Sequence, residues 1–132
     1  MYHFPRLVGT NYHPQDWSPR QWVRDLNSMK EAGFRVIRTN HICWDSVEPQ
    51  EGVFTFDWLD SVMDLCAERE IRVFLDIPGR SAPLWLHRKY PSLDLVDAAG
   101  VRLDSHRRYM EDIGARHLQR YMLRLAEGLG KT

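Results

Sequence analysis

The sequence predicts a parallel α/β fold, because short apolar segments alternate three times with amphipathic helical segments. The apolar segments cover residues 7–11, 34–39 and 71–77, and each carries a polar residue at or next to its C-terminal end. Alternation of strand and helix implies parallel strands that are joined by right-handed crossovers. The pattern alone leaves open whether the sheet stays flat or curls into a barrel.

Length and composition limit the classes of function. The 132 residues, 43% of them apolar, suffice for one domain over 1–132 with a real core. The 18 basic and 18 acidic side chains cancel, which argues against a nucleic-acid or anionic-membrane partner. No segment approaches the roughly 18 apolar residues of a membrane span. Cys43 and Cys66 form no CxxC motif, which fits a reducing cytoplasm. We therefore expect a cytoplasmic protein.

The first strand–helix unit has clear boundaries. Residues 7–11 form the strand, and Ser18-Pro19 is a helix start, with serine as the N-cap and proline at the first helical position. Apolar residues then follow at steps of three and four. Gly33 is expected to end this helix in the left-handed conformation.

The second and third units repeat the pattern with long loops. Residues 34–39 are the second strand, 40–56 a loop, and Asp57 the cap of a helix that ends near Arg69 without a glycine. The almost continuous apolar run 71–77 is typical of a strand that is covered on both faces. After a helical turn at 84–90 and a turn at 97–100, the last helix is predicted over 115–128.

Two residues, one at the end of the second strand and one in the loop after it, are candidates for ligand binding. In parallel α/β proteins, ligands are held at the C-terminal ends of the strands, and Arg38 stands at the end of the second strand. The alternative is a structural ion pair with a strand-end carboxylate such as Asp76. Trp44 follows in the loop, where the alternative role is to fill the top of the fold.

Other polar residues carry weaker signals. Paired carboxylates can hydrolyse glycosides, but Glu48 and Glu51 have no apolar run beside them, so we expect ordinary turn residues. Two arginines, Arg107 and Arg108, lie in a polar loop after the third strand, and arginine forks suit hydroxyl-rich or anionic ligands. A solvated loop is the alternative. The six histidines show no metal-binding spacing, and we expect no cofactor.

Several blocks of the sequence, in the same order, resemble the glycoside hydrolase family 42 β-galactosidases. The resemblance covers essentially the whole chain, and the third block is shared with related barrel glycosidases. The blocks are Asn11-Tyr12 with Pro14 and Trp17; Met29-Lys30-Glu31-Ala32-Gly33-Phe34; Glu48-Pro49-x-Glu51-Gly52-x-Phe54-x-Phe56-x-Trp58-Leu59-Asp60; and Pro83-x-Trp85-Leu86 with Tyr90-Pro91.

The resemblance implies a (β/α)₈ barrel, a retaining mechanism with two glutamates, and a terminal β-galactosyl substrate. It predicts that the chain forms the first three strand–helix units of that barrel. Arg38 matches the family arginine after strand two that contacts the sugar. The segment with Arg107 and Arg108 resembles a second arginine-bearing loop, in which Arg108 is the better match. We therefore predict a substrate-binding set of Arg38, Arg108, Arg107 and Trp44.

The sequence departs from the family pattern at three points. The resemblance places the acid/base glutamate after strand four and the nucleophile after strand seven, so we predict no catalytic residue in these three units. Many members bind zinc through cysteines that begin in the arginine loop. Met110 stands near the first such position, so we predict no metal site. His41 replaces a frequent acidic residue, which leaves the exact sugar open.

These points lead to one expectation and its alternatives. We expect no appreciable turnover by the 132-residue chain alone, since binding contacts supply neither a nucleophile nor a leaving-group proton. Open sheet edges and uncovered apolar faces predict self-association or completion by a second chain. The alternatives are a non-catalytic sugar-binding module, a complementing fragment, or a related barrel glycosidase with another sugar specificity.

Overall fold

Parallel strands alternate with helices, as the sequence predicts. The computed structural model describes residues 7–77, 82–94, 96–102 and 112–129. The strands are β1 (Gly9–Asn11), β2 (Val36–Thr39) and β3 (Arg72–Leu75). The helices are α1 (Pro19–Glu31), α2 (Trp44–Val47), α3 (Asp57–Glu68), α4 (Leu84–Lys89) and α5 (Asp112–Leu129), with 3₁₀ turns at Pro14–Asp16 and Pro91–Leu93.

The chain divides into two compact units, which are described separately. The sheet unit comprises, of the described residues, 7–39 and Asp57–Asp76, and so contains β1, β2, β3, α1 and α3. The α5 unit comprises Asn40–Phe56 and the described residues from 77 onward, and contains α2, α4 and α5.

The sheet is parallel, with β2 in the centre. Its register sets Asn11, Arg38 and Phe74 side by side on neighbouring strands. The strands are shorter than the predicted apolar segments. At the start of β2, the Phe34 backbone N–H still donates to the Met29 carbonyl of α1 at 2.9 Å, so this residue belongs to the end of the helix and not to the strand.

Helix α1 begins and ends where its sequence signals predict. The Ser18 side chain accepts a hydrogen bond from the Gln21 backbone N–H at 3.4 Å, and Pro19 is the first helical residue. After the helix, Gly33 has φ +88°, a conformation that glycine adopts without strain. At the end of α3 no glycine is available, and Glu70 takes the left-handed position with φ +55°.

One face of the sheet is covered by α1 and α3. Ile37 from the central strand is fully buried there. The buried core is completed from both helices and from the segments that flank the strands, by Tyr12, Trp22, Leu26, Val62, Cys66 and Ile71. Both amphipathic helices thus pack their apolar faces against the same face of the sheet, the one that contains Ile37.

The opposite face differs from the prediction for the third strand. We expected residues 71–77 to be covered on both sides, but Phe74 is 63% exposed and Ile77 is 50% exposed. Strand side chains alternate between faces, so only Val73 and Leu75 turn toward the covered side. The prediction of two-sided burial is wrong for β3 within the described residues.

The α5 unit contains more helix than the sequence indicates. Residues 40–56, predicted as loop, include the one-turn helix α2, and the predicted turn at 84–90 is the helix α4. Gly100 has φ +80° in the predicted turn at 97–100. Helix α5 buries Tyr121 and Leu125, whereas the neighbouring Met122 is exposed.

None of the helices in the described part of the chain combines the length and apolarity that crossing a bilayer requires.

We expect Leu26→Ala to destabilise the sheet unit, because Leu26 is fully buried in its core. Removal of a buried leucine side chain costs about 2–5 kcal/mol of unfolding free energy. Val23→Ala is the matched control, since Val23 lies on the same helix and is 36% exposed. A lower thermal midpoint for the first variant alone is the predicted result. Equal losses in both variants would contradict the assigned core.

Candidate functional site

Arg38 lies on β2, one residue before the C-terminal end of that strand. Its guanidinium Nη2 pairs with Asp76 Oδ2 at 2.6 Å, so the anticipated ion pair is present. Asp76 is itself held at the end of β3, where its backbone N–H donates to the Thr39 carbonyl at 2.9 Å. The carboxylate therefore fixes one side of the guanidinium.

The ion pair leaves much of Arg38 accessible. Its side chain is 54% exposed, and a guanidinium carries five N–H donors in a planar fork. The groove beside it is also lined by Asn11 and Phe74, its neighbours in the register. Three kinds of group thus lie at one level of the sheet: the guanidinium of Arg38, the amide of Asn11 and the exposed ring of Phe74. This combination is chemically suited to a polyhydroxylated ligand.

Glycine at position 9 keeps this groove open at its β1 side. A Cβ atom on Gly9 would lie 2.1 Å from the Val36 carbonyl oxygen, which is closer than any real contact. The backbone approach of β1 to β2 thus excludes a side chain there. Gly9 itself also lines the groove.

Trp44 belongs to the α5 unit, and its side chain is almost fully enclosed at 1% exposure. The indole Nε1–H donates to Glu48 Oε2 at 2.8 Å. The ring packs against Tyr121 with a centroid separation of 5.3 Å. In this arrangement Trp44 contributes packing, and its predicted contact with a ligand stays a prediction.

Glu48 is the residue for which the sequence analysis is most misleading. We expected an ordinary turn residue, but Glu48 is 0% exposed. Its Oε1 accepts from the Gly52 backbone N–H at 2.8 Å and pairs with Arg120 Nη2, while Oε2 accepts from Trp44. Both carboxylate oxygens are thus satisfied inside the protein, as a buried charge requires.

Glu51 forms the outer part of the same cluster. It pairs with Lys89 of α4, and it lies 3.8 Å from Arg120 Nη1 and 4.0 Å from His117 Nε2. The Lys89 hydrogen bond holds the pKa of Glu51 below its ordinary value. Arg120 therefore bridges a buried and a partly exposed glutamate.

His117 lies beside this cluster between two aromatic rings. It is 9% exposed, with ring centroids 5.5 Å from Trp85 and 5.3 Å from Tyr90. Burial and the nearby Arg120 charge lower its pKa, against a smaller opposing effect of Glu51. The surroundings of the imidazole therefore favour its neutral form over its charged form.

The contacts of the two glutamates define what they can do. A retaining glycosidase needs two carboxyl groups about 5–5.5 Å apart that face the scissile bond. Glu48 has no exposed surface, and Glu51 is engaged by cations. Their arrangement is structural: it ties the segment after β2 to α4 and α5.

One sequence signal could have found this cluster. Trp44 and Glu48 are spaced i, i+4, the spacing that brings two side chains together on a helix. The partner Arg120 has no such signal, because it is 72 residues away in the sequence.

The remaining predicted site residues cannot be placed. Arg107 and Arg108 lie outside the described residues, and so does Met110, which bears on the zinc prediction. Within the described ranges, no group of three or more His, Cys, Asp or Glu could hold a metal ion.

We expect Arg120→Met to cost about 3–5 kcal/mol of unfolding free energy, the typical effect of leaving a buried partner charge unpaired. The double variant Glu48→Gln/Arg120→Met removes both charges and keeps an oxygen acceptor for Trp44. Chemical denaturation should show that it regains more than half of the loss. Arg124→Met, one turn further on α5 and exposed, is the control. Additive losses in the double variant would contradict the pairing.

The pKa of His117 predicts an acid-sensitive stability. Since the folded-state pKa lies below the ordinary value of 6.5, the unfolded chain takes up a proton first as the pH falls. Stability should therefore decline as the pH drops below about 6.5. The thermal midpoint of His117→Gln should fall less between pH 7 and pH 5 than that of the parent chain. Arg124→Gln, which removes a permanently charged group from α5, should keep the parental slope; an unchanged slope in His117→Gln would contradict this account.

Comparison with known proteins agrees with these features. The glycoside hydrolase family 42 β-galactosidase sequence pattern matches residues 11–132. β-Galactosidase BgaA of Clostridium cellulovorans is 38% identical over 95 residues, which are 72% of this chain and 14% of that protein. β-Galactosidase BglY of Alicyclobacillus acidocaldarius is 35% identical over 106 residues, which are 75% of this chain and 15% of that protein. The chain thus spans about a seventh of the length of these relatives.

Solved structures agree on the fold. The cold-adapted β-galactosidase of Rahnella sp. R3 superimposes with a TM-score of 0.86 at 34% identity, over 92% of this chain and 19% of that structure. The β-galactosidase of the psychrophilic Marinomonas ef1 gives a TM-score of 0.86 at 28% identity, over 95% of this chain and 20% of that structure. The predicted fold, the first three strand–helix units of a (β/α)₈ barrel, is therefore confirmed. Sequence pattern, relatives and fold together show that the chain belongs to the glycoside hydrolase family 42 β-galactosidases.

Proposed function

We propose that the protein is a retaining β-galactosidase that hydrolyses terminal β-galactosides in carbohydrate metabolism, and that this chain supplies part of its sugar site. The observation that carries the proposal is the family match over residues 11–132. It is supported by the exposed Arg38 fork at the C-terminal end of β2, the edge at which barrel enzymes hold their substrates.

The proposed substrate-binding residues are Arg38, Arg108, Arg107 and Trp44. Support for Arg38 is structural, because its guanidinium is oriented by Asp76 and still half exposed beside a groove. Support for Arg107 and Arg108 rests on the sequence resemblance alone. Trp44 is supported by its place at the start of α2, in the segment that follows the arginine-bearing strand.

We propose that no carboxylate among the described residues is the nucleophile or the acid/base. Among the described residues, Glu48 and Glu51 are the carboxylates that most resemble a glycosidase pair. Both are already bonded, to Arg120, to Lys89 and to neighbouring N–H donors. A catalytic pair needs one carboxyl group free to attack and one free to donate a proton. We therefore expect no turnover from Glu48 and Glu51, the candidate pair among the described residues.

The proposed setting is the cytoplasm, without a cofactor, metal, nucleic-acid or membrane partner. Cys43 and Cys66, both among the described residues, are buried and are not joined in a disulfide, which agrees with a reducing compartment. Self-association or a complementing chain is the proposed protein partner. The exposed Phe74 and Ile77 support it, since uncovered apolar strand residues favour association.

A non-catalytic sugar-binding or complementing module is the second candidate. The observation that favours it is the combination of an exposed arginine fork with glutamates that are committed to structural contacts. The third candidate is a related barrel glycosidase with another sugar specificity. It differs from the first candidate only in the sugar that Arg38 binds.

We expect galactose to bind the purified chain saturably, and Arg38→Ala to weaken that binding by about tenfold, the equivalent of 1.4 kcal/mol. The physical reason is the loss of charge-assisted hydrogen bonds to hydroxyl groups. Isothermal titration calorimetry with galactose measures both. Arg38→Lys should recover little, because an ammonium group lacks the planar fork.

Arg72→Ala is the matched control, because Arg72 is an exposed arginine at the opposite end of the same sheet. Equal weakening by both alanine variants would contradict a specific role for Arg38. A parallel assay of nitrophenol release from a nitrophenyl β-galactoside tests the chemistry. Clear turnover that is lost in Glu51→Gln would show that the catalytic carboxylates have been misplaced.

A further inference from the structure

A fully buried carboxylate is an unusual group to place in a connecting segment. Glu48 follows the single turn of α2 and has no exposed surface. An ionised carboxylate in such a position is costly unless every oxygen is paired. The contacts of Glu48 show which groups meet that requirement and what they hold in place.

Two of its donors come from its own segment. The Trp44 indole N–H lies 2.8 Å from Oε2, and the Gly52 backbone N–H lies 2.8 Å from Oε1. One carboxylate thus joins the first residue of α2 to a turn eight positions later. Gly52 has φ +79° in this turn, a conformation that glycine adopts without strain. In this conformation its N–H donates to Glu48.

The third donor is the only one of these that carries a charge. Arg120 Nη2 pairs with Glu48 Oε1 and comes from the middle of α5. Without Arg120, Glu48 would keep two neutral donors and no cation, which is costly for a buried carboxylate and favours its displacement toward water. Such a displacement removes the acceptor from the Trp44 indole.

The remaining contacts of Trp44 lead to the same helix. Its ring packs on Tyr121, whose hydroxyl is bonded to the buried Asn40 amide at 3.2 Å. The backbone carbonyl of Glu48 accepts from the Trp85 indole at 2.8 Å. Arg120 and Tyr121 are adjacent on α5, so one turn of this helix contacts both the indole and the carboxylate that orients it.

We infer that Glu48 and Arg120 are positioning residues: the buried pair fixes the orientation of the Trp44 indole, and thereby the conformation of the segment from α2 to Gly52. Because Trp44 is itself 1% exposed, this positioning is a property of the buried cluster and stands apart from the proposed galactoside function. It assigns a role to a glutamate in the family motif that the catalytic chemistry does not use.

The test follows the Trp44 indole N–H by NMR in the purified chain, with the resonance identified by its loss in Trp44→Phe. In the parent chain the signal should be shifted downfield and protected from hydrogen exchange, since the N–H donates to a buried carboxylate. Arg120→Met should move it toward the position of a free indole and reduce its protection by at least about tenfold. Glu48→Gln, which keeps a weaker acceptor, should give an intermediate shift.

The control is Arg124→Met, since Arg124 is exposed on the same helix and pairs with Glu127 at 3.0 Å. An unchanged Trp44 signal in a folded Arg120→Met variant would overturn the inference. If that variant does not fold, the Trp44 indole signal of Glu48→Gln is used in its place, and an unchanged signal there overturns the inference. A galactose titration separates the two claims: a displaced indole with no saturable galactose effect on the parent chain supports the positioning pair and counts against the proposed sugar site.

Discussion

The α5 unit depends on the requirement that the buried charge of Glu48 be paired. A carboxylate with no access to water must find all of its donors within the protein, and Glu48 finds them on Trp44, Gly52 and Arg120. Because those donors lie on α2, on a turn and on α5, the requirement determines the path of the connecting segment. Glu51, Lys89 and His117 surround the pair and extend it to α4. A single buried carboxylate thus joins α2 to α5, and the charged residues around it extend these contacts to α4.

The sheet unit is held by a different principle. Its covered face buries Ile37 beneath α1 and α3, and the hydrophobic effect supplies the stability. Its other face carries Arg38, Asn11 and Phe74 at one level, where Gly9 lets the first two strands approach closely. The alternation of side chains along the strands therefore separates the core from the face that carries the proposed sugar-binding residue Arg38. The ion pair with Asp76 keeps the arginine oriented without burying it.

Much of the fold could be predicted from local sequence, and the exceptions have physical causes. The start of α1 at Ser18 and its end at Gly33 follow from capping chemistry that involves only neighbouring residues. The exposure of Phe74 could not be predicted, because an apolar run does not reveal whether both faces of its sheet are covered. The burial of Glu48 was missed for a related reason. Its cation, Arg120, is 72 residues distant, and the spacing to Trp44 indicates a contact but not a buried one.

The most direct test of this account is to map where galactose contacts the chain, by two-dimensional NMR of the backbone amides and arginine side chains during a titration. The account predicts saturable shifts at the Arg38 guanidinium and at its register neighbours Asn11 and Phe74, with the N-terminal end of the sheet at Arg72 unaffected. Shifts confined to other surfaces, or none at saturating galactose, would contradict a sugar site at the end of β2.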